Sequence, residues 1–287
     1  MGDVNATNDL DTLLQWKGRS RSSTEIISAS WCNRLQQTLD RPGTLVDGNA
    51  LPPLWHFISH LHSVPTSEIG PDGHPKRGDF LPPVALPRRM WAGSQISFDG
   101  PLEIGDEVTK TSTVGSIEMK EGRTGPLCFV AVHHELAVGG DVRITEAQDL
   151  VYREQPDPDA LTPEPKLAPV EAEFQRVIQP TEVMLFRYSA LMFNGHRIHY
   201  DRDYARDVEG YAALVVHGPL TATLLAQLAV DETGRSLASF SFRGVAPLLD
   251  TEPFTIAGTR SGDRVELWAK NASGGLAMTA QAELRPA

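Results

Sequence analysis

The sequence predicts an α+β fold in which antiparallel strands wrap on a buried helix. Three observations carry this expectation. One helical run, "GPLTATLLAQLAV" from Gly218 to Val230, is apolar on nearly every face and so is expected to be enclosed. Several runs alternate apolar and polar residues, as half-buried strands do. The two halves of the chain also resemble each other weakly: "PLEIGDEVTKTSTV" from Pro101 and "PLLDTEPFTIAGTR" from Pro247 place Val108 and Phe254 at the same offset.

In chain order, "STEIISASWCNRLQQTL" has apolar residues at helical spacing, with Ser23 or Thr24 as the expected N-cap. "LPPLWHFISHLHS" predicts a shorter helix from about Pro53. "MWAGSQISF" and "LCFVAVHHELAV" predict strands, with His133 and His134 on opposite faces. "PTEVMLFRYSALMF" predicts a third helix capped by Thr181, and Pro219 suits the first turn of the fourth, where a missing N–H costs nothing. "SLASFSFRG" and "LAMTAQAEL" predict strands that match "MWAGSQISF" and "LCFVAVHHELAV" of the first half. Five prolines interleaved with acids between Glu154 and Glu173 mark a poorly packing seam. The expected organisation is therefore an N-terminal half over 1–153, a Pro-rich linker over 154–175 and a C-terminal half over 176–287.

Composition narrows the function classes. Hydrophobic residues make up 40% and charged residues 22%, enough apolar mass for a core. The net charge of -11 argues against nucleic acid, whose phosphates need a basic footprint. No apolar run approaches the ~20 residues of a membrane helix. Cys32 and Cys128, far apart and each among apolar neighbours, read as buried thiols in a reducing compartment. The first residues lack the pattern of a targeting peptide, so a cytoplasmic protein is expected.

The chemistry-bearing stretch is 193–220. His199 can take and return a proton near neutral pH. Asn194, five residues earlier, can orient a water but cannot titrate. The Gly218 N–H opens the buried helix, where backbone donors and the helix dipole favour a developing oxyanion. His199 and Gly218 are expected to face one small void. His217, before the Gly-Pro step, reads equally as a helix-capping loop residue. His196 and His199 stand at i,i+3, but no companion ligands are recognisable and no metal is expected.

"FNGHRIHYD" followed by "EGYAALVVHGPL" resembles the MaoC-like, hot-dog-fold hydratases and dehydratases. Within them it is most similar to the subgroup of mesaconyl-C4-CoA, itaconyl-CoA and 3-methylfumaryl-CoA hydratases and the mitochondrial type-2 hydroxyacyl-thioester dehydratase. The segment from Leu51 to Asp106 also resembles that subgroup's N-terminal half. The resemblance implies a double hot dog: two antiparallel sheets, each wrapped on a central helix, in one chain. The C-terminal half would keep the catalytic residues and the N-terminal half would widen the acyl pocket. His199 matches the catalytic His and Gly218 the glycine after the "HG" step. Asn194 stands where the broader hydratase motif has Asp. Three options follow. His199 acts as both base and acid while Asn194 positions water; Asp201 or Glu209 supplies the carboxylate; or thioesters bind without turnover. The first is preferred because the "FNxHRIHYD" form is typical of the subgroup. Asp201, His217 and Tyr188 are candidate supporting residues.

The resemblance also implies a hydro-lyase acting on a small-molecule acyl-CoA whose short acyl chain carries a second carboxylate. No cofactor beyond coenzyme A within the substrate is implied, and a homodimer is compatible with it. The second carboxylate calls for an arginine; Arg187 and Arg197 are the candidates, while Arg88 and Arg89 could meet cofactor phosphates. The alternatives are dehydration of 3-hydroxyacyl-ACP, a non-catalytic thioester-binding subunit, and thioester hydrolysis. No G-x-S-x-G nucleophile elbow supports a serine route.

Overall fold

A computed structural model describes residues 6–122, 125–155 and 164–286; part of the Pro-rich seam, 156–163, lies outside the described residues. Ten strands are β1 (Ser20–Ile26), β2 (Arg88–Phe98), β3 (Glu107–Gly122), β4 (Gly125–Val138), β5 (Asp141–Arg153), β6 (Phe174–Ile178), β7 (Leu237–Gly244), β8 (Phe254–Ser261), β9 (Arg264–Lys270) and β10 (Leu276–Leu284). All pair antiparallel in the order β1-β3-β4-β5-β2-β7-β10-β9-β8-β6. The first five strands and the last five follow the same internal order, mirrored about the β2–β7 seam. The seam runs from Gly93↔Arg243 to Ser97↔Ser239.

This order corrects one detail of the internal likeness. By position, β3 corresponds to β8 and β2 to β7, as the aligned runs suggested, but β4 corresponds to β9 and β10 to β5. "LCFVAVHHELAV" and "LAMTAQAEL" are therefore not equivalent. The reason is hairpin length: β3 and β4 run 16 and 14 residues, β8 and β9 only 8 and 7, so the turns fall out of step.

Five α-helices accompany the strands: α1 (Leu10–Leu13), α2 (Ala29–Thr38), α3 (Glu182–Leu191), α4 (Arg202–Asp207) and α5 (Gly218–Thr233). α5 is buried continuously from Pro219 to Ala229 and packs on β6 through β10. Its fully enclosed Leu220, Leu225 and Leu228 each contribute about 1.5–3 kcal/mol. It stops at Gly234, whose φ of +65° closes the C-terminal turn back onto Val230 O.

Two helix expectations need correction. Ser23 and Thr24 lie in β1, paired with Lys110 and Thr109 of β3, and α2 begins later with Ser28 as its cap. The expected helix from Pro53 is a single 3-10 turn, Trp55–Ile58. Leu54 and His60, on either side, take φ of +66° and +54°, which no right-handed helix accommodates.

One apolar core joins both halves, from Ile96, Val108, Leu136 and Ile144 to Leu185, Leu225, Phe240 and Ile256. A second fills the outer part of the first half, where Leu13, Trp16, Phe80 and Val84 cover Val114, Val130 and Tyr152. Between them runs a buried polar band of Ser112, His134 and Glu146, adjacent across β3, β4 and β5. His134 points inward and His133 outward, as alternation requires. Cys32 and Cys128 are buried and unpaired, and burial pushes both thiols up to about 11. No helix among the described residues is long and apolar enough to cross a membrane.

Candidate active site

Thr181 caps α3 through its hydroxyl, which accepts from Met184 N at 3.1 Å. Beyond Leu191 the chain turns sharply: Phe193 takes φ of +48°, and Asn194 N donates back to Ser189 O at 2.8 Å. The Asn194 side-chain oxygen accepts from His196 N at 3.0 Å, an Asx turn that leaves its NH₂ group facing outward from the turn. A 3-10 turn, Arg197–His199, then delivers His199 into the interior.

His199 Nδ1 lies 2.7 Å from Val215 O. A carbonyl can only accept, so Nδ1 carries the proton, and in the neutral ring Nε2 is left bare as a base. Burial is the chief cause pulling its pKa down to about 4, so the ring is neutral at physiological pH. Its face stacks on His217 at 3.7 Å and 18°. His217 stands at the N-cap position of α5 but makes no capping hydrogen bond. Its Nε2 instead meets Ser189 Oγ at 2.8 Å, and burial drives its pKa well down. Tyr188 packs edge-on to His217 at 5.0 Å, with its hydroxyl pushed up by burial.

One residue beyond His217, the Gly218 N–H begins α5. It has no protein acceptor among the described residues, as the first amides of a helix do not. A Cβ at 218 would meet nothing nearer than Met278 Cε at 4.0 Å, so there is room for a side chain at this position. The structure thus brings His199, His217 and Gly218 together. A shared void is another matter: a cleft of about 460 Å³ is walled by residues including Trp31, Leu51, Trp55, Ile58 and Phe193, and a second of about 400 Å³ by Phe186, Tyr200 and Leu214. Both open beside this loop, and neither is lined by His199 or Gly218.

The remaining candidates are distributed unevenly. Both oxygens of Asp201 are engaged: Oδ1 accepts from Tyr204 N at 3.0 Å and caps α4, and Oδ2 pairs with Arg197 at 2.7 Å. These interactions hold its pKa below the ordinary carboxylate range, the wrong direction for a proton donor. Arg197 also donates to Pro71 O at 3.1 Å and lies 4.0 Å over the Tyr204 ring. Arg88 and Glu209 form a buried ion pair at 2.9 Å, with Arg88 also over Tyr211. Arg88 and Arg89 begin β2 and point to opposite faces. Arg89 is half-buried, registers opposite Tyr152, and has no ion-pair partner among the described residues. Arg187 is exposed on α3.

Sequence reasoning missed Asp72 and His74. The 70–77 loop of the first half lies against the 193–199 loop, and the His74 ring sits 4.2 Å from His196, which in turn stands edge-on to His199 at 5.5 Å. Asp72, His74 and His196 bring donor atoms within 4.8 Å of one another. The one available signal was "PDGH", a turn carrying a carboxylate and an imidazole two residues apart.

An enclosed helix wrapped by antiparallel strands, repeated in strand order, with a neutral histidine beside the helix's first amide, defines a double hot dog of the dehydratase class. Solved structures agree on the fold: HtdX of Mycobacterium tuberculosis aligns with a TM-score of 0.66 at 21% identity over 92% of this chain and 100% of that one. A MaoC-like dehydratase from Phytophthora capsici aligns with a TM-score of 0.68 at 13% identity over 97% and 99%. The family model described as hydroxyacyl-thioester dehydratase type 2 matches residues 54–250, and the chain belongs to this MaoC-like family of hydratases and dehydratases. It is accordingly a hydro-lyase. Mesaconyl-C(4)-CoA hydratase of Chloroflexus aurantiacus is 43% identical over 275 residues, 94% of this chain and 97% of that protein. The mitochondrial hydroxyacyl-thioester dehydratase type 2 of Schizosaccharomyces pombe is 26% identical over 247 residues, 76% and 80% of the two chains.

Proposed function

We propose that this hydro-lyase adds water across the double bond of a short dicarboxylic enoyl-CoA of the mesaconyl-C4-CoA type, with His199 as the single proton-carrying group. The observation that carries the reading is the Val215 lock on His199, which leaves a bare, neutral Nε2 on a ring stacked against His217, the residue before Gly218. The 43% identity to mesaconyl-C(4)-CoA hydratase over nearly the whole of both chains supports the substrate class.

In this mechanism the thioester oxygen accepts from Gly218 N–H. Asn194, its own oxygen already engaged by His196 N, donates from its NH₂ group to the attacking water. His199 Nε2 removes a proton from that water as its oxygen bonds to the β-carbon. The π electrons move onto the thioester oxygen, where the amide and the dipole of α5 stabilise the enolate. His199 then returns the proton to the α-carbon. One water is consumed and His199 ends neutral, so no second acid is required.

The N-terminal half would shape the acyl pocket, a role supported by the cleft that Trp31, Leu51, Trp55 and Ile58 form against Phe193. Arg89 is the arginine best suited to seat the second carboxylate, because Arg88 and Arg197 already hold carboxylates. Arg187, expected to meet that second carboxylate, is exposed on α3 and is less suited to it. Exposed Val177, Val183 and Phe186 beside the β6 edge support a homodimer, and the unpaired buried thiols support a cytoplasmic setting.

The test is loss of the enoyl-thioester absorbance with mesaconyl-C4-CoA, itaconyl-CoA and crotonyl-CoA. Turnover of the dicarboxylic thioesters above crotonyl-CoA is expected, and no consumption of any of them would sink the reading. Dehydration of a 3-hydroxyacyl-ACP is the second reading, favoured by the matched family's own description. Turnover of ACP thioesters but not CoA thioesters would select it.

A further inference from the structure

The reaction site built from the second half has no carboxylate free to act. Asn194 cannot titrate, Asp201 caps α4 and holds Arg197, and Glu209 holds Arg88. The first half brings one to the same place. The 70–77 loop crosses the 193–199 loop at two glycines: a Cβ on Gly73 would lie 1.8 Å from Gly195 O, and a Cβ on Gly195 would lie 2.6 Å from Gly73 O. Gly73 also takes φ of +90°, so both sterics and backbone demand glycine there. Two hydrogen bonds fasten the crossing, Arg197 N to Asp72 O at 2.9 Å and Arg197 Nη1 to Pro71 O at 3.1 Å.

The crossing sets four side chains in a row. Asp72 Oδ1 accepts from His74 N and Oδ2 from His74 Nδ1, both at 3.0 Å. The His74 ring then packs on His196 at 4.2 Å, and His196 stands edge-on to His199 at 5.5 Å. Each imidazole packs against the one before it, and Asp72 ends the row.

We infer that Asp72 is a positioning residue for His199: through His74 and His196 it holds the reacting imidazole in place and offsets the positive charge that His199 carries between taking and returning its proton. The inference rests on His199 being the proton carrier proposed above. Among the described residues, the groups facing this row are Arg77 and Arg89, which act on His74 as cations, the neutral His217, and Asp72, the one anion engaged with it. Burial raises the Asp72 pKa, but the His74 hydrogen bonds and the nearby imidazoles outweigh it and hold the carboxyl well below its usual range, so it is ionised. Removing that charge leaves the two cations that act on His74, Arg89 also on His196, without a counter-charge at the far end of the row, at separations where such interactions are only partly screened. The same two cations disfavour a metal ion among Asp72, His74 and His196.

Asp72→Asn tests this, with kcat and KM for mesaconyl-C4-CoA measured from pH 5 to 9 beside thermal melting. The expected result is a roughly 10- to 100-fold fall in kcat, below the ~10²–10⁴ of a direct acid–base group, with KM changed by less than about threefold. The acid limb of kcat/KM should move to lower pH, because His199 loses the anion that favours its protonated form. Asp72→Glu should recover part of kcat. Gly73→Ala, which breaks the crossing while leaving Asp72 in the chain, should lower kcat in the same way. An unchanged pH limb in Asp72→Asn would overturn the inference, as would full activity in Gly73→Ala. So would activity lost to a chelator and restored by Zn²⁺, since Asp72 would then be serving a cation. An NMR titration of the His199 imidazole in the substrate-free protein separates this inference from the functional reading. If no thioester is hydrated yet Asp72→Asn lowers the His199 pKa, the function fails and the coupling stands. If hydration occurs and the pKa does not move, the coupling fails alone.

Discussion

In the C-terminal half, β6–β10 close around α5, sixteen residues long and mostly apolar along its buried length, with Thr221, Thr223 and Gln227 as its buried polar residues. In the N-terminal half, β1–β5 repeat the same strand order, but the inner face carries the polar band of Ser112, His134 and Glu146 and is covered by short pieces, α2 and the Trp55–Ile58 turn. The same scaffold therefore holds ionisable groups in two different ways. In the second half the neutral His199 keeps one ring nitrogen bare. In the first half Glu146 and His134 are engaged: Glu146 Oε1 accepts from Ser94 Oγ at 2.6 Å and His134 meets Ser112 and Gln148, while the His56 ring, 3.6 Å from Glu146 Oε2, makes no hydrogen bond among the described residues. Burial raises the Glu146 pKa, but His56, His134 and Lys110 outweigh it and hold the carboxyl at about 2. A buried group whose hydrogen-bonding capacity is used up serves stability; one left open is available for chemistry.

Four experiments sharpen or break that contrast. His199→Ala should lower kcat by ~10²–10⁴ with little change in melting temperature; a mere few-fold loss would erase the distinction between the halves. Glu146→Ala should do the converse. It leaves buried partners without their anion and should cost about 3–5 kcal/mol of stability, read by urea unfolding, while kcat in the surviving folded fraction stays near wild type. Arg89→Met should lower kcat/KM for mesaconyl-C4-CoA by about 100-fold, the scale of an unpaired buried carboxylate, and that for crotonyl-CoA by less than about threefold. Equal losses on both substrates would assign Arg89 to the scaffold or to the CoA phosphates.

The smallest effect concerns pH. Burial lowers His74 and His199, and burial with the Lys110 charge lowers His134, each to about 4. Unfolded histidines take up protons near pH 6.5 that these folded rings refuse until about 4. The unfolded chain then binds more protons, so stability is full above 6.5 and declines as pH falls toward 4. Melting temperature should drop steadily between pH 7 and 5, and His134→Gln should flatten part of that slope without altering kcat.

Much of this architecture is legible in local sequence. α5 announces itself by its all-round apolar run and Gly218-Pro219 start, α3 by Thr181, and β2, β4, β7 and β10 by alternation. β1 escaped because every residue of "SRSSTEI" is exposed, so no apolar period marks it. The turn at Trp55–Ile58 mimicked a helix because the positive φ of Leu54 and His60 leaves no trace in residue type. Within the candidate site, the stretch 193–220 and its family likeness pointed to His199, Asn194 and Gly218, which the structure sets close to the head of α5 through the His199–His217 stack. The ion pairs that occupy Arg88, Arg197 and Asp201 could not, because each partner is chosen by packing.

The amino-acid sequence by itself determined the α+β class, the enclosed helix and the histidine at its head, since periodicity and capping are set by neighbours along the chain. Only the tertiary structure decided that the 70–77 loop would lie across Gly195 and add Asp72 and His74 to the histidine row. Two backbones can approach that closely only where neither carries a Cβ, and which glycines meet is settled by how the two halves of the sheet join at β2 and β7.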